Sequence, residues 1–385
     1  MSENISSFYL LQHYWWIVIS LISGVLVFLL FVQGGQTLIY TIGKNDTDQR
    51  LIINSLGRKW EFTFTTLVVF GGAFFASFPL FYTASFGGAY WLWMTILFCF
   101  VIQAISYEYR SKPGNIFGKK VYEAFLLING FGGTFLLGTF VATLFTGSCF
   151  FVNLKNITNE RMTAVSGWQS PAHGLEALLN WRNVLLGLSV FFLTRSLALL
   201  YFMNNIKDEN IFVRSKKHLL YNAIPFVLFF LAFLICIFIT VGYAYFPDSK
   251  LIYLEKYKYF INLIEMPFVG IMFLAGILLV LTGIVISLLK NSTKGIWFSG
   301  AGTIITMFTL FLNVGFNNTA FYPSNYDFQS SITIENGSSS QYTLTAMSYV
   351  SILVPFVIAY MAYAWKAINN KQIDADEIKG EGHVY

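Results

Sequence analysis

Long apolar segments alternate with polar ones along almost the whole chain. A helix needs about 20 mostly apolar residues to cross a bilayer, and nine segments meet that length. They lie at about 14–41, 62–82, 86–106, 121–145, 184–203, 222–245, 262–289, 296–316 and 347–366. The pattern predicts an all-α polytopic membrane protein with about nine transmembrane helices. The first and seventh segments exceed the minimum, so we expect those helices to tilt or to extend beyond the lipid.

The composition agrees with this pattern. Hydrophobic residues make up 56% of the 385 residues and charged residues only 11%, whereas a soluble domain carries roughly 25% charged residues. So much apolar surface cannot all lie in a protein core, so lipid must cover part of it. The N-terminus, MSENISSFYLLQHYWW, has neither a basic region nor a small-residue cleavage site. We therefore expect the first apolar segment to be retained.

The positions of lysine and arginine predict the orientation. The odd-numbered loops hold 14 of these residues, the C-terminal end from Lys366 onward, which includes the tail at 367–385, holds 3, the even-numbered loops hold 6, and Arg195 lies inside the fifth segment. Because cytoplasmic loops carry the excess of basic residues, the N-terminus is expected outside and the C-terminus in the cytoplasm. A missed or extra helix would destroy this asymmetry, so the asymmetry supports an odd number of helices.

Two long loops are expected outside, at about 146–181 and 317–346. The second contains no Lys or Arg and is polar, aromatic and rich in turn residues. It is interpreted either as an ordered external cap or as a docking surface for a partner subunit. Residues 1–385 are otherwise interpreted as one membrane domain.

Cofactor ligands are scarce. Haem in membrane bundles is usually held by His, sometimes with Met, and the four histidines lie in loops, in the tail or at the outer edge of the first segment: His13, His173, His218 and His383. The three cysteines lie far apart with no Cys-x-x-Cys pair, which argues against thiolate metal sites. No dense basic run suggests nucleic acid. We therefore expect neither a redox cofactor nor a metal in this chain.

Ionisable groups in or near the membrane are costly and are candidates for function. Arg195 lies in the middle of the fifth segment. It is either a structural charge paired inside the bundle or a contact to a haem propionate or counter-ion. Glu61 opens the second segment beside Trp60, and Glu108 and Arg110 close the third, all toward the cytoplasm.

Three glutamines lie at a similar depth. Gln33 and Gln36 flank Gly34-Gly35 near the end of the first segment, and Gln103 lies five residues before Glu108. These side chains either cap and snorkel at the interface or line a water-filled proton inlet. In the second interpretation, a carboxylate such as Glu61 in a low-dielectric site would have a raised pKa and could relay protons.

One stretch carries a family resemblance. Residues 54–112 read NSLGRKWEFTFTTLVVFGGAFFASFPLFYTASFGGAYWLWMTILFCFVIQAISYEYRSK. The acid after Trp60, the GGAFFASFP motif with Tyr82, and the closing Glu108-x-Arg110 resemble the cytochrome bd quinol oxidase subunit II family. A second match to the same family lies near the C-terminus, where Pro323-Ser324, the residues 331–334, Ser339-Ser340-Gln341, Leu344 and Met347 resemble its final external loop. Asn180 is a weaker match.

The resemblance implies a fold of two four-helix bundles plus one peripheral helix, in the cytoplasmic (inner) membrane of a bacterium. It implies a partner, subunit I, which holds two b-type haems, one haem d and the external quinol site, whereas subunit II binds no haem. The complex would oxidise quinol outside, reduce dioxygen to water and take protons from the cytoplasm. The resemblance is also compatible with a small single-helix accessory subunit and with a bound structural quinone or lipid.

The resemblance also assigns site residues. Glu61 and Glu108 correspond to acids of a proton path, with Gln33, Gln36 and Gln103 beside them. Trp60, Arg110 and Arg195 are candidates for contact with the partner or its haem environment. The family's Asp-Gly-x-x-Asp pattern is replaced here by Gln33-Gly34-Gly35-Gln36, and its Arg near the end of the third helix by Gln103. Since glutamine orders water but does not accept a proton at neutral pH, the inlet is expected to be moved, weakened or absent.

Two alternatives remain at this point. A secondary transporter would use the Gly34-Gly35 break and Arg195, but no paired interrupted helices occur in matching halves of the chain. A purely structural membrane subunit would need none of the acids.

Overall fold

The computed structural model describes residues 2–112, 114–158, 164–369 and 372–374. His383 and most of the predicted cytoplasmic tail, including 375–385, lie outside the described residues. Within these ranges, nine helices are long and apolar enough to cross a membrane, as predicted. We number them α1 to α9: Ser7–Gln36, Asp46–Ser77, Tyr90–Tyr109, Lys119–Thr146, Trp181–Asn205, Glu209–Ile239, Pro267–Lys290, Gly295–Gly315 and Gln341–Ile368.

The helices form two bundles. In the first, α1 packs against α2 and α3 packs against α4; in the second, α5 packs against α6 and α7 against α8. Contacts of α1 with α5 and α8, and of α4 with α5, join the bundles. Helix α9 lies at the periphery and leaves large side chains exposed, for example Phe356 and Tyr360. This confirms the predicted architecture of two four-helix bundles plus one peripheral helix.

Glycines allow the two bundles to approach closely. A Cβ at Gly34 of α1 would lie 2.3 Å from the backbone carbon of Thr194 on α5, and a Cβ at Gly138 of α4 would lie 2.9 Å from the Cα of Gly187 on α5. Small residues at such contacts let helix backbones meet, which is how helices associate in lipid. The Gly34-Gly35 pair is therefore a packing point between the bundles.

Helix α2 differs from its predicted form. The sequence places a loop at about 42–61, but the structure has a helix at Asp46–Gly57, followed after Arg58 and Lys59 by a second helix at Trp60–Ser77. The side chain of Asn45 caps the first helix by accepting a hydrogen bond from the Asp48 backbone N–H at 2.7 Å. Leu51, Ile52 and Ile53 are buried on it. Its amphipathic pattern fits a helix packed on the bundle end.

Two short antiparallel hairpins interrupt the all-α pattern. Strands β1 (Phe150–Val152) and β2 (Ser166–Trp168) pair in the fourth loop, and β3 (Val241–Tyr245) pairs with β4 (Ile252–Lys256) in the sixth. Short helical segments lie between the spans. The α-helical ones are Ile39–Ile42, Pro79–Phe81, Lys258–Glu265 and Ile334–Gly337; Tyr82–Gly87 is a π-helix, and the 3₁₀ turns are Leu154–Thr158, Leu175–Leu179 and Phe328–Ser330.

The loops separate into two ends. At one end, the eighth loop contacts the fourth through Ser324 and Ser148 and the sixth through Glu335 and Lys250, whose side chains lie 2.6 Å apart. At the other end, Asp48 pairs with Arg214 of α6 at 2.8 Å. Even-numbered and odd-numbered loops thus lie at opposite ends. Residues 317–346 pack extensively on loops of this same chain.

Candidate functional site

Four buried amide side chains meet inside the first bundle. The Oε1 atom of Gln103 on α3 accepts hydrogen bonds from Gln33 of α1 at 2.7 Å, Gln36 of α1 at 2.6 Å and Asn129 of α4 at 2.6 Å. Asn129 also donates to Gln36 at 2.9 Å, and Gln36 donates to the Tyr107 hydroxyl at 3.2 Å. The four amides are fully buried. We call Gln33, Gln36, Gln103 and Asn129 the amide cluster.

The three predicted glutamines therefore come together, and sequence reasoning missed Asn129 and Tyr107. Helical spacing could have found Tyr107, because residues four apart share a helix face. By the same geometry, Glu108 lies five residues from Gln103 and points about 140° away. Glu108 is exposed and pairs instead with Lys112.

Glu61 lies apart from the amide cluster. It is exposed in the first turn of the second half of α2, and it lines a cleft between α2 and α9 together with Arg58, Thr65 and Tyr360. Its neighbour Trp60 is half-buried and stacks on Tyr107, with the ring centroids 5.9 Å apart. Trp60 thus connects the surface near Glu61 to the edge of the amide cluster by ring packing alone.

The buried acid of this region is Glu123, which sequence reasoning did not select. It opens α4, is 4% exposed, and accepts hydrogen bonds from the Nε and Nη2 atoms of Arg110 at 3.0 and 2.6 Å. The hydroxyl of Tyr40 donates to its other oxygen. Burial, together with the Glu123 carboxylate, raises the pKa of Tyr40 to about 12, so this hydroxyl stays a donor. Within this chain, Arg110 therefore serves as the counter-ion of Glu123.

Arg195 is surrounded by neutral partners. Its Nε donates to Asn222 of α6 at 2.6 Å and its Nη1 to the Thr37 hydroxyl at 2.7 Å. The guanidinium lies 5.3 Å from the centroid of the Phe191 ring. The side chain thus links α5 to α6 and to the segment after α1, using amide and hydroxyl oxygens.

Lys59 is a further buried basic residue, which the sequence suggested only as a loop charge. It lies at the junction of the two halves of α2, is 0% exposed, and its Nζ has no hydrogen-bond partner among the described residues. The ammonium lies 4.2 Å from the centroid of Trp365 on α9. Such cation–π contacts are attractive when the site is dry. This contact ties the peripheral helix to α2.

The three histidines in the described ranges lie near the ends of helices or in a loop. His13 contacts the Tyr9 carbonyl at 2.9 Å, His173 contacts the Gly88 carbonyl at 3.0 Å in the fourth loop, and His218 lies in the first third of α6. In the part of the chain that the structure describes, no group of three or more His, Cys, Asp or Glu side chains is placed to hold a metal ion.

The fold and its buried polar groups define a polytopic helical membrane protein. Residues 11–368 match the family described as cytochrome bd terminal oxidase subunit II. The chain belongs to this family. The assignment does not favour the secondary-transporter alternative.

Individual relatives agree with the family. The chain is 25% identical to the cytochrome bd-I ubiquinol oxidase subunit 2 of Escherichia coli (strain K12), over 97% of this chain and 98% of that protein. It is 31% identical to the probable cytochrome oxidase subunit 2 of Haemophilus influenzae, over 37% of this chain and 38% of that one. The bd oxidase from Geobacillus thermodenitrificans has a similar fold, with a TM-score of 0.60 at 15% identity, covering 93% of this chain and 98% of that chain.

Proposed function

We propose that this chain is the non-haem subunit of a cytochrome bd-type complex that oxidises quinol and reduces dioxygen to water. The observation that carries the proposal is the family match over residues 11–368 on a fold of two bundles and a peripheral helix. Two b-type haems, haem d and the quinol site would belong to the partner, subunit I. This chain would supply the second half of the membrane body.

The proposed orientation places the amide cluster and Glu61 toward the cytoplasm of a bacterium, in its inner membrane. The odd-numbered loops hold most of the Lys and Arg residues, and the ion pair of Asp48 with Arg214 shows that the first and fifth loops share one end. The N-terminus would then lie outside. The positive-inside rule is the physical basis for this orientation.

The face of α2 that bears Glu61 is the proposed contact surface for subunit I. Placing a carboxylate in contact with lipid costs free energy, so such a group near the membrane boundary usually faces protein or water. Within the described ranges, Glu61 has neither a hydrogen bond nor an ion pair. On the same helix, Val68 and Phe75 are exposed and Gly72 has open space beside it. A partner with a polar group near Glu61 and an apolar surface above it would fit this face.

Proton delivery to the partner is the proposed role of Glu61. Its exposed carboxyl lines a cleft together with Arg58, which lies at the junction of the two halves of α2, and Glu108 lies at the proposed cytoplasmic end of α3. The amide cluster stays outside this route because amides do not accept protons near neutral pH. Arg110 and Arg195 would stabilise the bundles through their hydrogen bonds inside this chain. Of the three candidates for partner contact, Trp60 alone would lie close to subunit I.

Replacing Glu61 with glutamine tests this role. We expect quinol-dependent oxygen uptake by the purified complex to fall about tenfold or more, since positioned proton-transfer groups contribute factors of that order or larger. Glu209→Gln is the matched control, because Glu209 is an exposed acid at the start of α6, and it should leave uptake unchanged. Unchanged uptake in Glu61→Gln, with intact haem content, would remove the proton role and leave the subunit assignment standing.

A further inference from the structure

The hydrogen bonds of the amide cluster do not balance. Three N–H donors converge on Gln103 Oε1 at 2.6–2.7 Å, although a carbonyl oxygen has only two lone pairs. At the same time, three other atoms of the cluster have no partner among the described residues: Gln33 Oε1, Gln103 Nε2 and Asn129 Oδ1. One amide oxygen is thus crowded while two acceptors and one donor are unused.

Turning an amide over does not remove the mismatch. Reversing Gln103 would bring its nitrogen against three nitrogens. Reversing Gln33, Gln36 or Asn129 would bring an oxygen against Gln103 Oε1. Each change replaces an N–H···O contact with a contact between like groups. The mismatch between hydrogen-bond donors and acceptors therefore results from how the three helices are arranged, and not from the orientation of one side chain.

We propose that the amide cluster is a binding site for ordered water. Water offers two donors and two acceptor sites, and a buried water typically makes about three hydrogen bonds to groups that are otherwise unpaired. The unused groups match it: Gln103 Nε2 can donate to the water oxygen, and the water hydrogens can be donated to Gln33 Oε1 and Asn129 Oδ1. The site carries no net charge, since all of its members are neutral.

Packing is close around one of the unused acceptors. Gly133 lies one turn after Asn129 on α4, and a Cβ built there would lie 3.0 Å from Asn129 Oδ1 and 3.3 Å from the Phe100 ring. A side chain at this position would press on the amide oxygen. The glycine therefore leaves Asn129 Oδ1 uncovered on this side, so that a molecule as small as water can reach it.

The water would have a structural role. It would join α1, α3 and α4 at a depth where neither lipid nor another side chain can satisfy these atoms. The inference stands on hydrogen bonding alone, and it holds whether or not Glu61 carries protons.

Cryo-electron microscopy of the intact complex tests the proposal, at a resolution where other buried waters are visible. We expect density within hydrogen-bonding distance of Gln103 Nε2 and of Gln33 Oε1 or Asn129 Oδ1. Relaxed amides that pair only with each other, with no density between them, would overturn the proposal. So would density at short distances from several carbonyl oxygens, which would indicate a metal cation.

A variant provides the second measurement. Gln103→Met keeps the length of the side chain and removes both of its polar atoms, so the water density should be lost and the thermal midpoint of the complex should fall by roughly 2–4 °C. Gln341→Met is the control, since Gln341 is exposed at the start of α9. Persistence of the density in Gln103→Met, at the same occupancy, would contradict the proposed coordination.

Discussion

Arg110→Met is expected to prevent accumulation of a stable complex. Arg110 is 2% exposed, and both of its bonds go to Glu123 Oε1. Removing the guanidinium leaves a buried carboxylate whose remaining hydrogen-bond partner, among the described residues, is the Tyr40 hydroxyl. Removing one member of a buried ion pair costs about 3–5 kcal/mol, a large part of the 5–15 kcal/mol that is typical of folded proteins. The measurement is the yield and the thermal midpoint of the assembled complex.

Two further variants make this test specific. The double variant Arg110→Met/Glu123→Leu removes both charges and should recover most of the lost stability, because a well-packed apolar pair can replace a buried ion pair. Lys112→Met breaks the exposed pair with Glu108 and should leave the midpoint unchanged, since such surface pairs contribute little. If Arg110→Met behaves like Lys112→Met, the ion pair does not stabilise this end of the first bundle.

Gly34→Ala is the second variant for which a large effect is expected. The added Cβ would lie 2.3 Å from the Thr194 backbone carbon and 2.6 Å from the Arg195 backbone nitrogen. Backbone atoms cannot rotate away, so α1 and α5 must separate. Overpacking typically costs about 1–3 kcal/mol and occasionally more, and we expect the upper end of that range here.

The control for Gly34→Ala is Gly87→Ala. A Cβ at Gly87 meets nothing within 4 Å, and its backbone dihedral angle φ is not in the left-handed region. The thermal midpoint of the complex should fall for Gly34→Ala and stay unchanged for Gly87→Ala. Equal midpoints for the two variants would show that the two bundles are not held at this contact.

The helix count was predictable because each span is a long apolar run. The helix Asp46–Gly57 was not, because its charged residues, such as Asp48 and Arg50, have the composition of a loop and its apolar face becomes evident only when it packs. The hairpins were missed for a similar reason: β3 and β4 are short and aromatic, next to long apolar helices. Hydropathy measures length and polarity, whereas these elements depend on tertiary contacts.

The candidate site was partly predictable. The three glutamines were found since amides are conspicuous in apolar segments, and the structure brings them together. Glu61 and Glu108 were expected beside them from their depth and from the family resemblance, but both lie on the exposed side of their helices. Glu123 was missed because it opens a segment and resembles a loop charge. Its pairing with Arg110 depends on how the third loop folds back, which single-sequence spacing does not specify.

We propose that this chain works only beside a haem-bearing partner. Purification of the tagged chain from its native membrane in mild detergent tests it most directly, with an absorption spectrum of the purified material. We expect a second membrane subunit to co-purify, together with b-type and d-type haem bands that disappear when that subunit is deleted. Recovery of a colourless chain without a partner would contradict the proposed subunit function.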